Sequence, residues 1–126
     1  MAREIIRPKS GTPPKAPLSP AVKTGSLVFV SGTPAFYGDR QIAKGDFAAQ
    51  MHQVMKNIQA VLAAAGSSLD KAVKVNVILV RKSDWDDMNR IYREYFKEGN
   101  FPARTTIVCD LANPDFLLDI ECVAEA

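Results

Sequence analysis

The chain has 126 residues and a formal charge of +2, with 47% hydrophobic and 24% charged residues. That length suits one domain, residues 1–126, around one core, and the composition is too apolar for a disordered chain. No apolar run is long enough to span a bilayer, and the opening MAREIIRPKS lacks the apolar stretch of a secretory signal, so no membrane association and a cytoplasmic setting are expected.

The charge is unevenly spread. Residues 1–24 hold Arg3, Arg7, Lys9, Lys15 and Lys23 against Glu4 alone, which leaves the body slightly acidic. No basic patch emerges, so a nucleic-acid partner is not expected. Cys109 and Cys122 lie in apolar stretches and read as reduced thiols, and with His52 as the lone histidine no metal site is expected.

In chain order, a short strand is expected at Glu4 to Ile6. Five of the eight prolines then fall between Pro8 and Pro20, where missing donors and restricted predecessors predict an arm (residues 8–20) without helix. Leu27 to Ser31 is apolar on both alternating faces and closed by Gly32, the pattern of a strand buried on two sides. Tyr37-Gly38-Asp39 predicts a turn leading to Gln41 and Ile42. From Asp46 to Ala65, Phe47, Met51, Val54, Met55, Ile58, Val61, Leu62 and Ala65 recur at three- and four-residue steps, predicting a helix capped by Asp46 and ended by Gly66. His52 lies beside that stripe and is expected in solvent.

Lys71 to Val80 alternates with apolar residues on both sides and predicts a central strand. A second helix is expected from a cap at Ser83 to about Lys97, with Trp85, Met88, Tyr92, Tyr95 and Phe96 as its stripe and Asn89 at the stripe's edge. Strands at Arg104 to Leu111 and Phe116 to Glu125 complete an α+β sandwich, a mixed sheet with two helices on one face. Two helices cannot cover both faces of such a sheet, so the strands that are apolar on both sides predict a homo-oligomer.

If residues 112–115 join the last two strands as a hairpin, Thr106 opposes Glu121 and Arg104 opposes Val123. Arg104 and Glu121 are then diagonal neighbours on one face, with Thr106 and Asp119 beside them. One reading is a cross-strand ion pair on a solvated edge. The other is a site, in which the planar fork of Arg104 captures a substrate carboxylate and Glu121 orients or deprotonates a water. The cysteines are out of register for a disulfide. Ser31-Gly32 lacks the G-x-S-x-G context of a nucleophile, and no Walker or G-x-G-x-x-G motif supports a nucleotide cofactor.

Pro17 to Val22, Leu27 to Gly32, Gln50 with Asn57-Ile58, Ala64 to Leu69, Val73 to Val75, Met88-Asn89 with Tyr92 and Tyr95-Phe96, Pro102-Ala103-Arg104-Thr105 and Ile120-Glu121 together resemble the reactive intermediate deaminase family (Rid, YjgF-type). The resemblance runs over nearly the whole chain, in order. It implies a chorismate-mutase-like fold and a homotrimer with clefts between subunits. It also implies cofactor-free hydrolysis of 2-imino acids, or their enamine tautomers, to 2-keto acids and ammonia. By motif position Arg104 would bind the carboxylate, Glu121 would position water, and Ser31 and Asn89 would line the cleft. Leu18 stands where the family pattern has tyrosine, Thr33 where it has glutamine and Thr106 where a cysteine is frequent, which predicts a more apolar pocket; Phe36 and Tyr37 are the aromatic residues that could refill it. Two alternatives keep Arg104: a deaminase of a larger unsaturated amino acid such as 2-aminomuconate, and a non-catalytic binder of small carboxylates. Ribonuclease activity, attached to some relatives, is not expected of the acidic body.

Overall fold

Six alternating segments build one sheet in the computed structural model, which describes residues 2–126. They are β1 (Glu4–Ile6), β2 (Ala21–Thr24), β3 (Leu27–Thr33), β4 (Ala72–Leu79), β5 (Ala103–Val108) and β6 (Leu118–Glu125), in the spatial order β1-β2-β3-β6-β4-β5. Only β4 and β5 run parallel; every other pairing is antiparallel. Strand β2 is an addition to the expected elements: Gly25, at φ 57, turns it directly into β3. The Tyr37 turn closes a single bridge, Tyr37 to Gln41, rather than a longer hairpin. The proline-rich arm holds no regular element and is tied down at Thr12, whose hydroxyl donates to Gly38 O at 2.7 Å, and at Pro13, whose carbonyl accepts from Arg40.

Helix α1 spans Phe47–Ala64, and the Asp46 carboxylate accepts the Ala49 N–H at 3.0 Å as an N-cap. Its apolar stripe is buried as expected, against β3, β6 and the second helix. Gln50 is buried with it, because its amide donates to Ala43 O (3.0 Å) and Asp115 O (3.1 Å) and accepts from Leu117 N (2.9 Å). Each polar atom thus replaces its water with a loop backbone group. His52 is half-buried rather than fully in solvent, and its Nδ1 lies 2.7 Å from the Tyr95 hydroxyl.

The second helix is shorter than its pattern suggests. Helix α2 covers Trp85–Tyr92, preceded by a 3₁₀ turn at Lys82–Asp84 whose buried Asp84 pairs with Arg81 at 2.8 Å. Ser83 makes no cap. Beyond Tyr92 the chain tightens into three-residue turns, Glu94 N to Ile91 O and Tyr95 N to Tyr92 O, which turn Phe96 into the core.

Both helices lie on one face, over Val28, Val30, Val75, Val77, Leu79, Leu118, Ile120, Cys122 and Ala124. The other face is open. Phe29 and Ile107 stand 45% and 49% exposed on it, so in the single chain β3 is buried on one side only. Among the described residues no helix is long and apolar enough to cross a membrane.

Strands β5 and β6 do not form the expected hairpin. β4 lies between them, pairing in parallel with β5 after the α2 crossover and antiparallel with β6. Arg104 is therefore level with Val75 and Cys122, and Glu121 with Asn76 and Thr105. The one-residue change of register reverses the expected faces: Thr106 turns to the helices and Ile107 to the open side.

Candidate functional site

Arg104 is the second residue of β5, an edge strand, and its side chain leans over α2. Its guanidinium carbon sits 5.4 Å from the Trp85 ring centroid and 4.9 Å from that of Tyr92, with Nη1 3.7 Å from Met88 Sδ. Helical spacing does this: Trp85, Met88, Asn89 and Tyr92 fall on one side of α2, and that side faces the start of β5. A cation between two aromatic faces is held by their quadrupoles and loses little side-chain freedom on binding. Among the described residues no carboxylate pairs with Arg104. Apart from the weak Nη1 bond to Met88 Sδ, its N–H fork is free for a ligand.

A cavity of about 240 Å³ opens there, lined by Asn89, Tyr92, Arg93, Phe101, Pro102 and Arg104. Two hydroxyls on this side, those of Tyr92 and Thr106, are buried without a hydrogen-bond partner. Burial pushes the Tyr92 phenol up to about 12, against the opposing pull of Arg104, so it stays a neutral donor at physiological pH.

Glu121 belongs to a second group on the open face. Its Oε1 accepts from Asn76 Nδ2 at 3.4 Å, and its side chain is exposed. A β-bulge sets its neighbours: between Val30 and Thr33 the register with β6 shifts, so Ser31 and Gly32 together oppose Glu121. The Ser31 hydroxyl donates to Ser19 O at 2.6 Å and its N–H donates to Pro20 O at 3.0 Å, which draws the end of the arm, with Leu18 half exposed, alongside the bulge. Asp119 packs over Gly32 so closely that a Cβ there would lie 2.9 Å from Oδ2. Burial first, and the charge of Glu121 second among the unfavourable influences, lift its carboxyl to about 6 despite the backbone N–H groups of Ile120 and Thr33.

The sequence-derived residues thus separate into two groups. Arg104, Asn89 and Thr106 lie on the helix side, and Glu121, Ser31 and Leu18 on or beside the open face. The expected diagonal contact between Arg104 and Glu121 on one face is overturned by the position of β4. Phe36 packs edge-on against Phe116 at 5.4 Å and carries Arg40 at 5.6 Å, so its ring is already engaged. Trp85, Arg93 and Phe101 are site residues that the sequence pattern did not assign to the site, whereas Asp119 shares a face with Glu121 as the alternation of β6 predicts. Trp85 was legible by spacing, since it precedes Asn89 by four and Tyr92 by seven, but a stripe at that period reads equally as core.

The chain matches the Endoribonuclease L-PSP family model over residues 9–126. It is 41% identical over 128 aligned positions to the 3-aminoacrylate deaminase RutC of Acinetobacter baylyi, with 98% of each chain covered. Among solved structures, YyfA of the Rid protein family from Yersinia pestis is 32% identical at a TM-score of 0.93, covering 99% of this chain and 100% of that one. E. coli TdcF, solved with bound serine, is 26% identical at a TM-score of 0.88, covering 98% of each chain. The mixed sheet with two helices on one face is the α+β fold of these neighbours.

Proposed function

The chain belongs to the Rid (YjgF, endoribonuclease L-PSP) family, and from that premise we propose that it is a hydrolytic deaminase of carboxylate-bearing 2-imino acids and their enamine tautomers. The observation that carries this reading is the unpaired Arg104 fork, clamped between Trp85 and Tyr92 at the mouth of a cavity. A planar carboxylate meets that fork through two parallel, charge-assisted bonds, which fixes the adjacent imine carbon. The deaminase name of the RutC relative and the serine bound to TdcF support a ligand of amino-acid size and this reaction class.

In the proposed reaction water, oriented by Glu121, adds to the imine carbon; Glu121 takes a water proton and passes it to nitrogen, which receives the C=N electron pair, and is left ionised again. The resulting carbinolamine gives up its hydroxyl proton through Glu121 to nitrogen. The C–N bond breaks, C=O forms, and ammonia leaves. One water is consumed per ammonia released, and general acid–base action by the carboxylate is the only catalysis the step requires.

Because Arg104 and Glu121 point to opposite faces, we place the complete site between subunits of a homotrimer, with Arg104 and Asn89 from one copy meeting Glu121, Ser31 and Leu18 of the next. The exposed Phe29 and Ile107 on the open face favour such an assembly. The test is ammonia or keto-acid release from a freshly generated 2-imino acid. Arg104→Ala is expected to lower the rate roughly a hundredfold; equal rates in the two proteins would overturn the assignment.

A further inference from the structure

The cavity beside Arg104 is lined by a second arginine, the exposed Arg93. Arg93 is the C-cap residue of α2, directly after the Tyr92 ring on which Arg104 rests. The chain neutralises the other arginines around this helix with its own acids: Arg81 pairs with Asp84 at 2.8 Å and Arg90 with Asp87 at 3.4 Å. Among the described residues neither Arg93 nor Arg104 has such a partner. Two arginines at one cavity repel each other, and a ligand with a single carboxylate neutralises only one of them. The rest of the lining is Phe101, Pro102 and Tyr92, largely apolar, with Asn89 as an uncharged hydrogen-bonding residue. That pattern matches a short carbon chain with an anionic group at each end. The volume, about 240 Å³, is several times the ~30 Å³ that a water occupies in the liquid.

We propose that the preferred substrates are 2-imino dicarboxylic acids, with Arg104 holding the carboxylate next to the imine and Arg93 the distal one. This rests on the deaminase reading and sharpens it. The supplying reaction is then a two-electron oxidation at the amino-bearing carbon of an acidic amino acid, or elimination of a leaving group from its β-carbon. Arg93 is a specificity residue: it meets the far end of the substrate and takes no part in bond making.

Stable 2-keto acids, the products of the reaction, separate the two levels of the claim. Pyruvate and 2-oxobutyrate serve as monocarboxylate probes, 2-oxoglutarate and 2-oxoadipate as dicarboxylate probes, and binding is read by calorimetry on the intact wild-type protein and on three variants. In the wild type the dicarboxylates bind more tightly. Arg93→Gln lowers the dicarboxylate-to-monocarboxylate affinity ratio about tenfold or more, as loss of one charge-assisted contact requires. Arg90→Gln removes an equal charge one helical turn away, outside the cavity, and leaves that ratio unchanged. A wild type without dicarboxylate preference, or a ratio unmoved by Arg93→Gln or moved equally by Arg90→Gln, overturns the inference while leaving the deaminase reading intact. If Arg104→Ala binds every probe as the wild type does, the deaminase reading itself falls.

Discussion

Arg104 and Glu121 project from opposite faces of the same sheet, Arg104 level with Val75 and Cys122, Glu121 level with Asn76 and Thr105. If the cleft takes one group from each of two neighbouring copies, inactive variants must complement. In oligomers reassembled from equal amounts of Arg104→Ala and Glu121→Gln, a cleft is intact only where one wild-type Arg104 meets one wild-type Glu121. Random closure of a trimer yields about a quarter of the clefts, and so about a quarter of wild-type activity, from two parents with almost none. Ammonia release after joint refolding measures this. Recovery no greater than the average of the separate variants would mean that both groups serve the same cleft from one chain.

The aromatic clamp makes Arg104→Lys a non-conservative change. A guanidinium can lie flat between Trp85 and Tyr92, at 5.4 and 4.9 Å, and still present two parallel N–H bonds, whereas an ammonium is a compact, strongly hydrated point charge without a fork. We expect Arg104→Lys to lower kcat/KM roughly 10- to 100-fold, mostly through KM, with the fold retained. Steady-state kinetics over a range of substrate concentrations distinguish this from a variant with wild-type KM, which would show that charge alone suffices.

The elements themselves were largely legible because their signals are local. The α1 stripe from Phe47 to Ala65, the Asp46 cap and the alternation around Val75 and Val77 each depend on neighbours a few residues away. The order of strands was not. A four-residue link between two strands suggests a hairpin, since sequential strands usually pair. Here β5 takes the edge beside β4 after the α2 crossover, and β6 passes to the other side of β4, where both its ladders are filled by β3 and β4. Nothing in Arg104 to Glu125 alone distinguishes the two arrangements. The residue types of the site were therefore found, and their faces were not. The burial of Asp119 was not legible for a related reason, because it comes from packing over Gly32 at the bulge, a long-range feature of β3.

Gln50 holds three loop backbone groups from inside the core, the carbonyls of Ala43 and Asp115 and the N–H of Leu117. Gln50→Leu keeps the volume and orphans all three, so burial of an apolar side chain does not compensate. The expected loss is about 3 kcal/mol, since each buried group left unsatisfied costs on the order of 1 kcal/mol or more. Urea denaturation checks it. A midpoint unchanged from wild type would mean that water replaces the amide at no cost.

Asp119 and Gly32 form a pair whose two parts are separately testable. The Asp119 carboxyl, lifted from the ordinary 3.8 to about 6 chiefly by burial, holds its proton more firmly in the folded than in the unfolded chain. Its favourable contribution is complete below pH 3.8 and is lost as the pH rises through about 6. Asp119→Asn should accordingly stabilise the protein above pH 6 by roughly 1–2 kcal/mol, allowing for partial solvent screening, and the advantage should fade toward pH 4. Gly32 has no left-handed φ to protect, so the obstacle to Gly32→Ala is contact: the new Cβ would lie 2.9 Å from Oδ2 and 3.1 Å from Oδ1 of Asp119. That substitution should destabilise the wild type by about 1 kcal/mol or more and cost much less in an Asp119→Ala background, where the carboxylate is gone. Chemical denaturation of the four proteins of this cycle at pH 7 gives the coupling. Equal costs of Gly32→Ala in both backgrounds would show that the carboxylate does not rest on the glycine.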